Sequence, residues 1–287
     1  TKETLHRYTQ IVGKIQLGRT PIENHFWNVA LRMTSRGLAT SALEYEGRTF
    51  DIEIDLVEHA VHIRTSDGGR AKVELRPLAV ADFYREIQEA LDRLGIDVPI
   101  WDHPVELKTD VIPFSQDRMH AEYDREYANR FFHVLSSATE VLEEFRSRFT
   151  GKCSGVGFYW GTFDVSVAMY SGRAVENAPT ESRIEREAYS HELIEVGFWP
   201  GDAVYQQPAF FAMQWPMPES YAHAHLEPAD ASWLEPSRCF VLPYESGRNG
   251  DYTARVLDFC QSAYETGANM AGWDPGLERN HEMWADH

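Results

Sequence analysis

Four ionisable side chains in this sequence stand near large aromatic residues, a combination suited to proton transfer on a small molecule. The four are His25, His120, Asp164 and Glu192. An imidazole titrates near neutral pH and a carboxylate can act as a base, so both types can serve as acid–base groups. The side chains expected to bind the substrate are Trp27, Tyr123, Arg130, Trp160 and Trp199. We therefore expect a soluble protein that binds a small molecule in an aromatic pocket, and the sequence leaves open whether it is an enzyme.

Two of the acid–base candidates, His25 and Asp164, also have a purely structural interpretation. A histidine such as His25 often makes a structural hydrogen bond, and Asp164 is a natural partner for a neighbouring arginine. The segment that contains His120 and Tyr123 ends at Asp124, directly before a predicted helix. Asp124 is therefore expected to cap that helix. These alternatives stay open at the level of sequence.

Two groups of residues have the composition of a metal site. His223, His225 and Glu227 alternate, so on a strand they would place two imidazoles and a carboxylate on one side, as in a 2-His-1-carboxylate centre. The prolines around this segment favour a loop instead, in which the alternation fails. The acidic face of residues 51–55 could hold a hard cation, but such carboxylates more often pair with basic groups on the next strand, such as His62 and Arg64. A divalent metal thus remains an open cofactor hypothesis.

Composition narrows the cellular context and the partners. The formal net charge is −18 and no run of Lys or Arg occurs, so nucleic acid and anionic membrane surfaces are disfavoured. The sequence has no apolar run of membrane-spanning length. Three widely spaced cysteines argue against a disulfide framework and for the reducing cytoplasm. A small-molecule ligand is the expected partner, and a homodimer is compatible with the sequence.

Hydrophobic periodicity predicts antiparallel sheets packed by three main helices, an α+β fold. Phe50, Ile52 and Ile54 alternate with acidic residues and give the clearest strand. Strands are predicted at 8–17, 26–34, 50–56, 60–65, 71–75, 191–198, 209–215 and 239–244, with a short one at 105–107. Helices are predicted at 80–94, 124–149 and 253–270, and 174–187 is predicted to be a polar loop. Because strands precede helices instead of alternating with them, a doubly wound parallel sheet is disfavoured.

The segment 151–173 is rich in glycine and aromatic residues and is predicted to be the central strand. Strand alternation would place Trp160 and Asp164 on one face, together with Thr162, Ser166 and Tyr170. A bulge at 161 would break this parity. A weak echo of 13–37 in 151–173 suggests a duplication. We therefore expect a single compact domain over 1–287, with possible internal halves 1–100 and 150–275 joined by the helix 124–149.

Motifs along nearly the whole chain resemble one bacterial family, the domain of unknown function 5996 family. The early motifs are Thr9-Gln10-Ile11-Val12-Gly13-Lys14, Asn24-His25-Phe26-Trp27, Arg36-Gly37-Leu38 and Phe50-Asp51-Ile52-Glu53-Ile54-Asp55. The later ones are Val80-Ala81-Asp82-Phe83-Tyr84, His120-x-x-Tyr123-Asp124, the segment 151–173, Gly197-Phe198-Trp199-Pro200-Gly201, Leu242-Pro243-Tyr244 and Trp273-Asp274. The resemblance implies no activity, because none is established for the family.

Two departures from the family pattern bear on function. Gly157 stands where the resemblance implies a histidine, and Met169 stands where it implies an arginine. If both positions lie on one strand face, that face is apolar here. A polar site on it would be lost, which gives an alternative function: a non-catalytic binding or assembly protein.

Overall fold

A computed structural model describes residues 1–107, 109–176, 182–248 and 250–278. Contacts divide the chain into two compact units. The first consists of Thr1–Glu23, Trp27–Ser136 and Gly157–Phe163, and the second of Asn24–Phe26, Ser137–Val156 and Asp164–His287. These bounds differ from the predicted halves 1–100 and 150–275. The duplication stays a prediction, but the two echoing Gly-Lys pairs differ in conformation: Gly13-Lys14 is helical, and Gly151-Lys152 lies in a bend.

The fold is α+β with two antiparallel sheets, as predicted. The first unit contains helices α1 (Lys2–Arg19) and α2 (Val80–Arg93) and the start of α3 (Arg125–Ser147). Its strands are β1 (Arg32–Met33), β2 (Gly37–Ala39), β3 (Leu43–Tyr45), β4 (Arg48–Asp55), β5 (Ala60–Thr65), β6 (Arg70–Glu74) and β7 (Gly157–Tyr159). The sheet order is β1-β2-β4-β5-β6, with β3 also paired to β4. Phe50, Ile52 and Ile54 along β4 are buried as predicted, but Glu53 and Asp55 of the acidic face are buried as well.

The predicted first strand over 8–17 is wrong, because these residues lie within helix α1. Tyr8, Ile11, Val12 and Ile15 follow the spacing i, i+3, i+4, i+7, which fits a helix as well as their β-branched character fits a strand. Every residue from 4 to 16 is buried. Because polar residues such as Gln10 and Gln16 are buried as well, this stretch has no solvent-exposed polar face, and the amphipathic signal is weak. The described residues therefore contain four helices of 14 residues or more, not three.

The predicted second strand over 26–34 is also wrong, apart from β1. Residues 24–29 form a 3-10 turn in which His25 and Phe26 have φ of 57° and 58°, outside the β region. The proposed strand at 105–107 is absent as well, since Glu106 has φ of 59°. In each case a left-handed residue interrupts a segment that its composition alone would place in a sheet.

The second unit contains the end of α3, the short helices α4 (Arg183–Ala188) and α5 (Tyr244–Gly247), and the long helix α6 (Tyr252–Ala271). Helix α4 lies within the segment predicted to be a loop. The strands are β8 (Asp164–Ala174), β9 (His191–Trp199), β10 (Ala209–Trp215), β11 (Ser232–Leu234) and β12 (Cys239–Pro243), in the order β11-β12-β10-β9-β8. The Gln214 amide donates to the carbonyl of Gly267 at 3.0 Å, which ties α6 to the sheet.

The segment 151–173 is two strands instead of one. Strand β7 ends at Tyr159, residues 160–163 form a turn in which Phe163 has φ of 64°, and β8 begins at Asp164. The break interrupts the side-chain alternation between 157 and 169. Trp160 lies in the turn and not on the strand face of Asp164, so the prediction that they share a face is wrong.

The three cysteines are free thiols. Within the part of the chain that the structure describes, no helix has both the length and the apolar character needed to cross a membrane.

Removing one partner of a buried ion pair in the first unit should be strongly destabilising. Arg7 Nε lies 3.3 Å from Asp117 Oδ2, and their side chains are 2% and 0% exposed. Arg7→Met leaves this carboxylate in the interior without its cation, so we expect a loss of about 3–5 kcal/mol in the free energy of unfolding. Urea denaturation measures the change. Arg64→Met is the control, because Arg64 pairs with Asp51 at the surface at 2.8 Å and should lose about 1 kcal/mol or less. Equal losses for the two variants would contradict the prediction.

Candidate functional site

A lysine of the first unit lies in surroundings that are unusual for an amine. Lys14 lies on helix α1 and is 7% exposed. Its Nζ lies 4.8 Å from the ring centroid of Trp101 and 5.9 Å from that of Trp160. Glu106 supplies a nearby negative charge. We call these four residues the Lys14 site. Cations are attracted to the faces of indole rings, which partly replaces the water that Lys14 has lost.

A glycine on helix α1 brings Trp160 close to the helix. The Trp160 indole donates a hydrogen bond of 2.7 Å to the carbonyl of Val29, which fixes the ring. A Cβ atom on Gly13 would lie only 2.3 Å from Trp160 Cδ1. Only glycine leaves room for the ring at position 13. The neighbouring residue, Lys14, supplies the amine that lies over the same ring.

Two polar side chains one turn apart on helix α1 fix the segments around Lys14: Gln10 bonds the loop that carries Trp101 and Glu106, and His6 bonds the turn that carries Trp160. The Gln10 amide donates to the Val105 carbonyl at 2.9 Å and accepts from the Val105 N–H at 2.8 Å. His6 Nε2 lies 2.9 Å from the Gly161 carbonyl, so this nitrogen carries the hydrogen. A Cβ on Gly161 would meet the Glu106 carboxylate at 2.7 Å. The close approach of Glu106 to Gly161 therefore requires the glycine.

Burial changes the protonation of both basic groups on this face of the helix. It lowers the pKa of Lys14 to about 8, and the charge of Glu106 offsets part of this effect. Burial lowers the pKa of His6 to about 4, although hydrogen bonds to the Gly161 and Trp160 carbonyls act in the opposite direction. At neutral pH, His6 is therefore a neutral structural group, whereas Lys14 is close to its titration point.

The Lys14 amine is free to interact with a ligand, whereas the neighbouring His6 and Gln10 are engaged in hydrogen bonds. Among the described residues, its recorded contacts are the two indole rings and the charge of Glu106, with no hydrogen bond or ion pair to Nζ. Trp101 is 65% exposed, so one side of the site meets solvent. A desolvated amine with a lowered pKa can bind an anion, exchange a proton or attack an electrophile.

The structure assigns mainly structural contacts to the predicted residues of the first unit. His120 Nδ1 donates to Asp117 Oδ2 at 2.8 Å, and the Tyr123 hydroxyl bonds His59 Nδ1 at 2.9 Å. The Asp124 carboxylate accepts from the Tyr127 N–H, as expected of a helix cap. The remaining predicted residues of this unit are Trp27, which is half-buried, Arg130, which is exposed and stacks on Tyr127, and Trp160 of the Lys14 site.

The predicted residues of the second unit lie at different places along the sheet. His25 stacks on Tyr170 with ring centroids 4.2 Å apart and lies 5.2 Å from the His191 ring. Burial lowers the pKa of His25, and the charge of Lys152 acts in the same direction. The Glu192 carboxylate accepts from Arg173 Nη2 at 2.6 Å. Its contact is therefore a structural ion pair.

Asp164 and Trp199 lie near the end of the sheet opposite His191. Asp164 is buried at the start of β8, and Trp199 at the end of β9 packs against Tyr205 and Phe211. His191 begins β9 and Trp199 ends it. Because β8 and β9 pair in antiparallel register, Asp164 at the start of β8 lies near Trp199 and far from His191. The described contacts therefore do not bring His25, Asp164, Glu192 and Trp199 together into one group.

Sequence analysis missed a second unusual group, the carboxyl of Glu195. The Ser166 hydroxyl donates to Glu195 Oε1 at 2.6 Å, and no basic side chain contacts this carboxyl among the described residues. Burial raises the pKa of Glu195, and the bond from Ser166 only partly offsets this. In the register of the sheet, Glu195 lies between Ala168 and Met213. The predicted polar face of β8 therefore includes a carboxyl group, but a neighbouring strand supplies it.

The two positions at which the family resemblance implies a histidine and an arginine, 157 and 169, are filled by packing in this chain. A Cβ on Gly157 would lie 2.7 Å from the Ala30 Cβ, so a histidine does not fit without rearrangement. Met169 is fully buried on β8. Chemistry that depended on a histidine and an arginine at these positions has no counterpart here.

The predicted metal residues do not form a close group. His223 ends a 3-10 turn and the loop continues through Glu227, so strand alternation does not apply to His223, His225 and Glu227, and all three are exposed. The group of potential ligands found close together in the described ranges is Asp55, Glu58 and His62, with ligand atoms within 4.8 Å of one another.

These three residues line a surface cavity of about 240 Å³ on the first sheet. Both carboxylates are already engaged by cations, since Arg36 contacts Asp55 and Lys72 Nζ lies 2.6 Å from Glu58 Oε1. Arg64 likewise pairs with Asp51 and Glu53, as expected for an acidic strand face. The arrangement is that of a surface ion-pair network.

Two glycines of helix α1 should respond in opposite ways to alanine. Gly13→Ala forces Trp160 away from the helix, so we expect a loss of about 1–3 kcal/mol in the free energy of unfolding and altered tryptophan fluorescence. Gly18→Ala is the matched control: its new Cβ meets only Val98 Cγ1, at 3.9 Å, and helix propensity should stabilise the protein by about 0.5–1 kcal/mol. Stabilisation by both substitutions would show that Trp160 does not pack as described.

Replacing Glu195 with glutamine should stabilise the protein at neutral pH. A carboxyl whose pKa is raised in the folded state destabilises that state as the pH rises from its ordinary value, near 4.5, to the raised value. Glu195→Gln avoids this ionisation and can still accept from Ser166. We expect Tm to rise by about 2–4 °C at pH 8, with a smaller rise at pH 5, in calorimetry.

The control for this prediction is Glu192→Gln on the same strand. It removes the charge that pairs with Arg173 and should give no gain at either pH. If Glu192→Gln raised Tm as much as Glu195→Gln does, the effect would come from the change in net charge and not from burial of Glu195.

Comparison with known proteins gives a family but no activity. The model of the family of unknown function DUF5996 matches residues 1–279 of the 287-residue chain. Searches of curated proteins and of solved structures give no significant match. Since the match extends over both sheets and all four long helices, this chain belongs to the domain of unknown function 5996 family.

Proposed function

We propose that this protein binds a small organic molecule at the Lys14 site and uses the Lys14 amine in its chemistry. The observation that carries the proposal is a buried amine that contacts two indole rings and has no hydrogen bond or ion pair among the described residues. A desolvated amine costs free energy in the resting protein. A ligand that supplies the missing polar contact would recover part of that cost.

The chemistry of the site favours a small planar ligand with an anionic or carbonyl oxygen. The faces of Trp101 and Trp160 favour a flat apolar body, and the exposed Trp101 ring leaves an approach from solvent. The Lys14 ammonium favours oxygen at the other end of the ligand. Glu106 opposes a ligand of high negative charge, so a single carboxylate or a neutral carbonyl fits better than a phosphate.

Catalysis at this site would use the amine as an acid–base group. With a pKa of about 8, Lys14 exists in both protonation states near neutral pH, and proton transfer is most effective when the pKa of the group lies near the working pH. Glu106 is the carboxylate whose charge acts on the amine. This role replaces the earlier hypothesis in which His25, His120, Asp164 and Glu192 act together.

Binding without turnover is the second candidate function. It rests on the loss of the family's polar residues at positions 157 and 169, where this chain has a tightly packed glycine and a buried methionine. In that case the Lys14 site serves recognition alone. The two functions share a ligand site and differ in whether the bound molecule is altered.

Benzoate is a suitable probe because it combines a flat ring with one carboxylate. We expect calorimetric titration to detect benzoate binding at pH 7. Lys14→Met removes the cation and should weaken binding at least about tenfold, equivalent to about 1.4 kcal/mol. Binding to the wild type should also weaken as the pH rises through about 8, because the ammonium loses its proton.

Lys72→Met is the matched control for this experiment. Lys72 is exposed and its ion pair with Glu58 raises its pKa, so its removal should leave benzoate binding unchanged. Equal benzoate affinity in the wild type and in Lys14→Met would overturn the proposal.

A further inference from the structure

We infer that Lys14 is a covalent nucleophile whose substrates are small aldehydes or ketones, which it binds as a Schiff base. The inference rests on the proposed ligand site and specifies its substrate class. It starts from a geometric contrast between this amine and another lysine of the same unit. The chain has five lysines, Lys2, Lys14, Lys72, Lys108 and Lys152.

The first step of the argument is that the Lys14 amine has no hydrogen bond or ion pair to any described residue and lies over two indole rings. Lys72 Nζ, by comparison, donates to Glu58 Oε1 at 2.6 Å and is exposed, so it stays protonated and solvated. Lys14 has indole faces where Lys72 has a carboxylate. An amine in an apolar site is more readily neutral, and a neutral amine is the form that attacks a carbonyl carbon.

The second step is that the surroundings of Lys14 suit imine formation better than simple non-covalent binding of an anion. Hydrolysis of an imine needs water, and enclosure by the helix on one side and by Trp160 on the other limits its access. The site is open at Trp101, which allows the substrate to enter and water to leave. The indole faces also attract the positive charge of a protonated imine, as they do an ammonium.

The reaction is balanced without an oxidant or a reductant. The Lys14 nitrogen lone pair forms a bond to the carbonyl carbon, and the carbonyl π pair moves to oxygen. Both hydrogens of the neutral amine end on that oxygen, which leaves as water when the nitrogen lone pair completes the C=N bond. Glu106 is the carboxylate of the site that can carry these protons, which gives it a positioning and proton-transfer role.

Reductive trapping tests the inference on the intact chain. The protein is incubated at pH 7 with benzaldehyde and sodium cyanoborohydride, and peptide mass mapping locates the N-benzyl groups. We expect Lys14 to be labelled at least about tenfold faster than Lys72, because a far larger fraction of Lys14 is neutral at this pH. Labelling of Lys72 at an equal or greater rate would overturn the inference, and this comparison requires no variant.

Lys14→Arg separates the inference from the proposed ligand site. An arginine keeps a cation for the benzoate carboxylate but cannot form an imine under these conditions. We expect this variant to lose labelling at position 14 and to bind benzoate more tightly than Lys14→Met does, because only the arginine keeps a cation at this position. Benzoate competes for the same site, so it should also slow labelling of Lys14 in the wild type and leave labelling of Lys72 unchanged.

The outcomes distinguish the two proposals. Benzoate binding that depends on Lys14, without preferential labelling of Lys14, overturns the Schiff-base inference and leaves the ligand site standing. Absence of both benzoate binding and preferential labelling overturns both. Preferential labelling of Lys14 that benzoate suppresses supports both.

Discussion

Burial of residues 4–16 of helix α1 is the constraint on which the first unit depends. A helix enclosed on all sides can carry polar side chains only if each finds a partner inside the protein. The partners here are main-chain groups from distant loops: Tyr8 donates to Leu78, Gln10 bonds Val105, and Gln16 donates to Asn28 and Ala30. The helix therefore holds the loops in position with its polar residues, and the apolar residues Ile11, Val12 and Ile15 fill the space between them.

Lys14 differs from the other polar residues of this helix in its contacts. Its neighbours on the same face, His6 and Gln10, satisfy carbonyls of the turn 160–163 and the loop 101–106, and thereby position the aromatic rings that surround Lys14. The structural and chemical roles are thus divided among successive turns of one helix. Rigid support from hydrogen-bonded neighbours is what a reactive group requires in order to keep a fixed geometry.

Local patterns predicted much of the fold, and failed where tertiary contacts decide. Strand β4 alternates in sequence, and α2 has an apolar stripe, so both were predicted close to their observed bounds. Helix α1 was missed because total burial removes the polar face that marks a surface helix. The candidate site was missed for a related reason: Gly13-Lys14 was noted as a motif, but Trp101 and Trp160 join it only in the folded chain. Glu195 likewise acquires its character from Ser166 on another strand.

The first unit is built from segments that are separated along the chain, and this separation affects how the unit can fold. Helix α1 precedes the turn that carries Trp160, and the segment 137–156 that lies between them belongs to the second unit. A nascent chain that ends before Trp160 therefore contains helix α1 without one of the groups that enclose it. Closure of such sequence-distant contacts costs loop entropy before any contact offsets it. The first unit is for this reason completed only after part of the second unit has been synthesised, although its principal helix precedes its other elements.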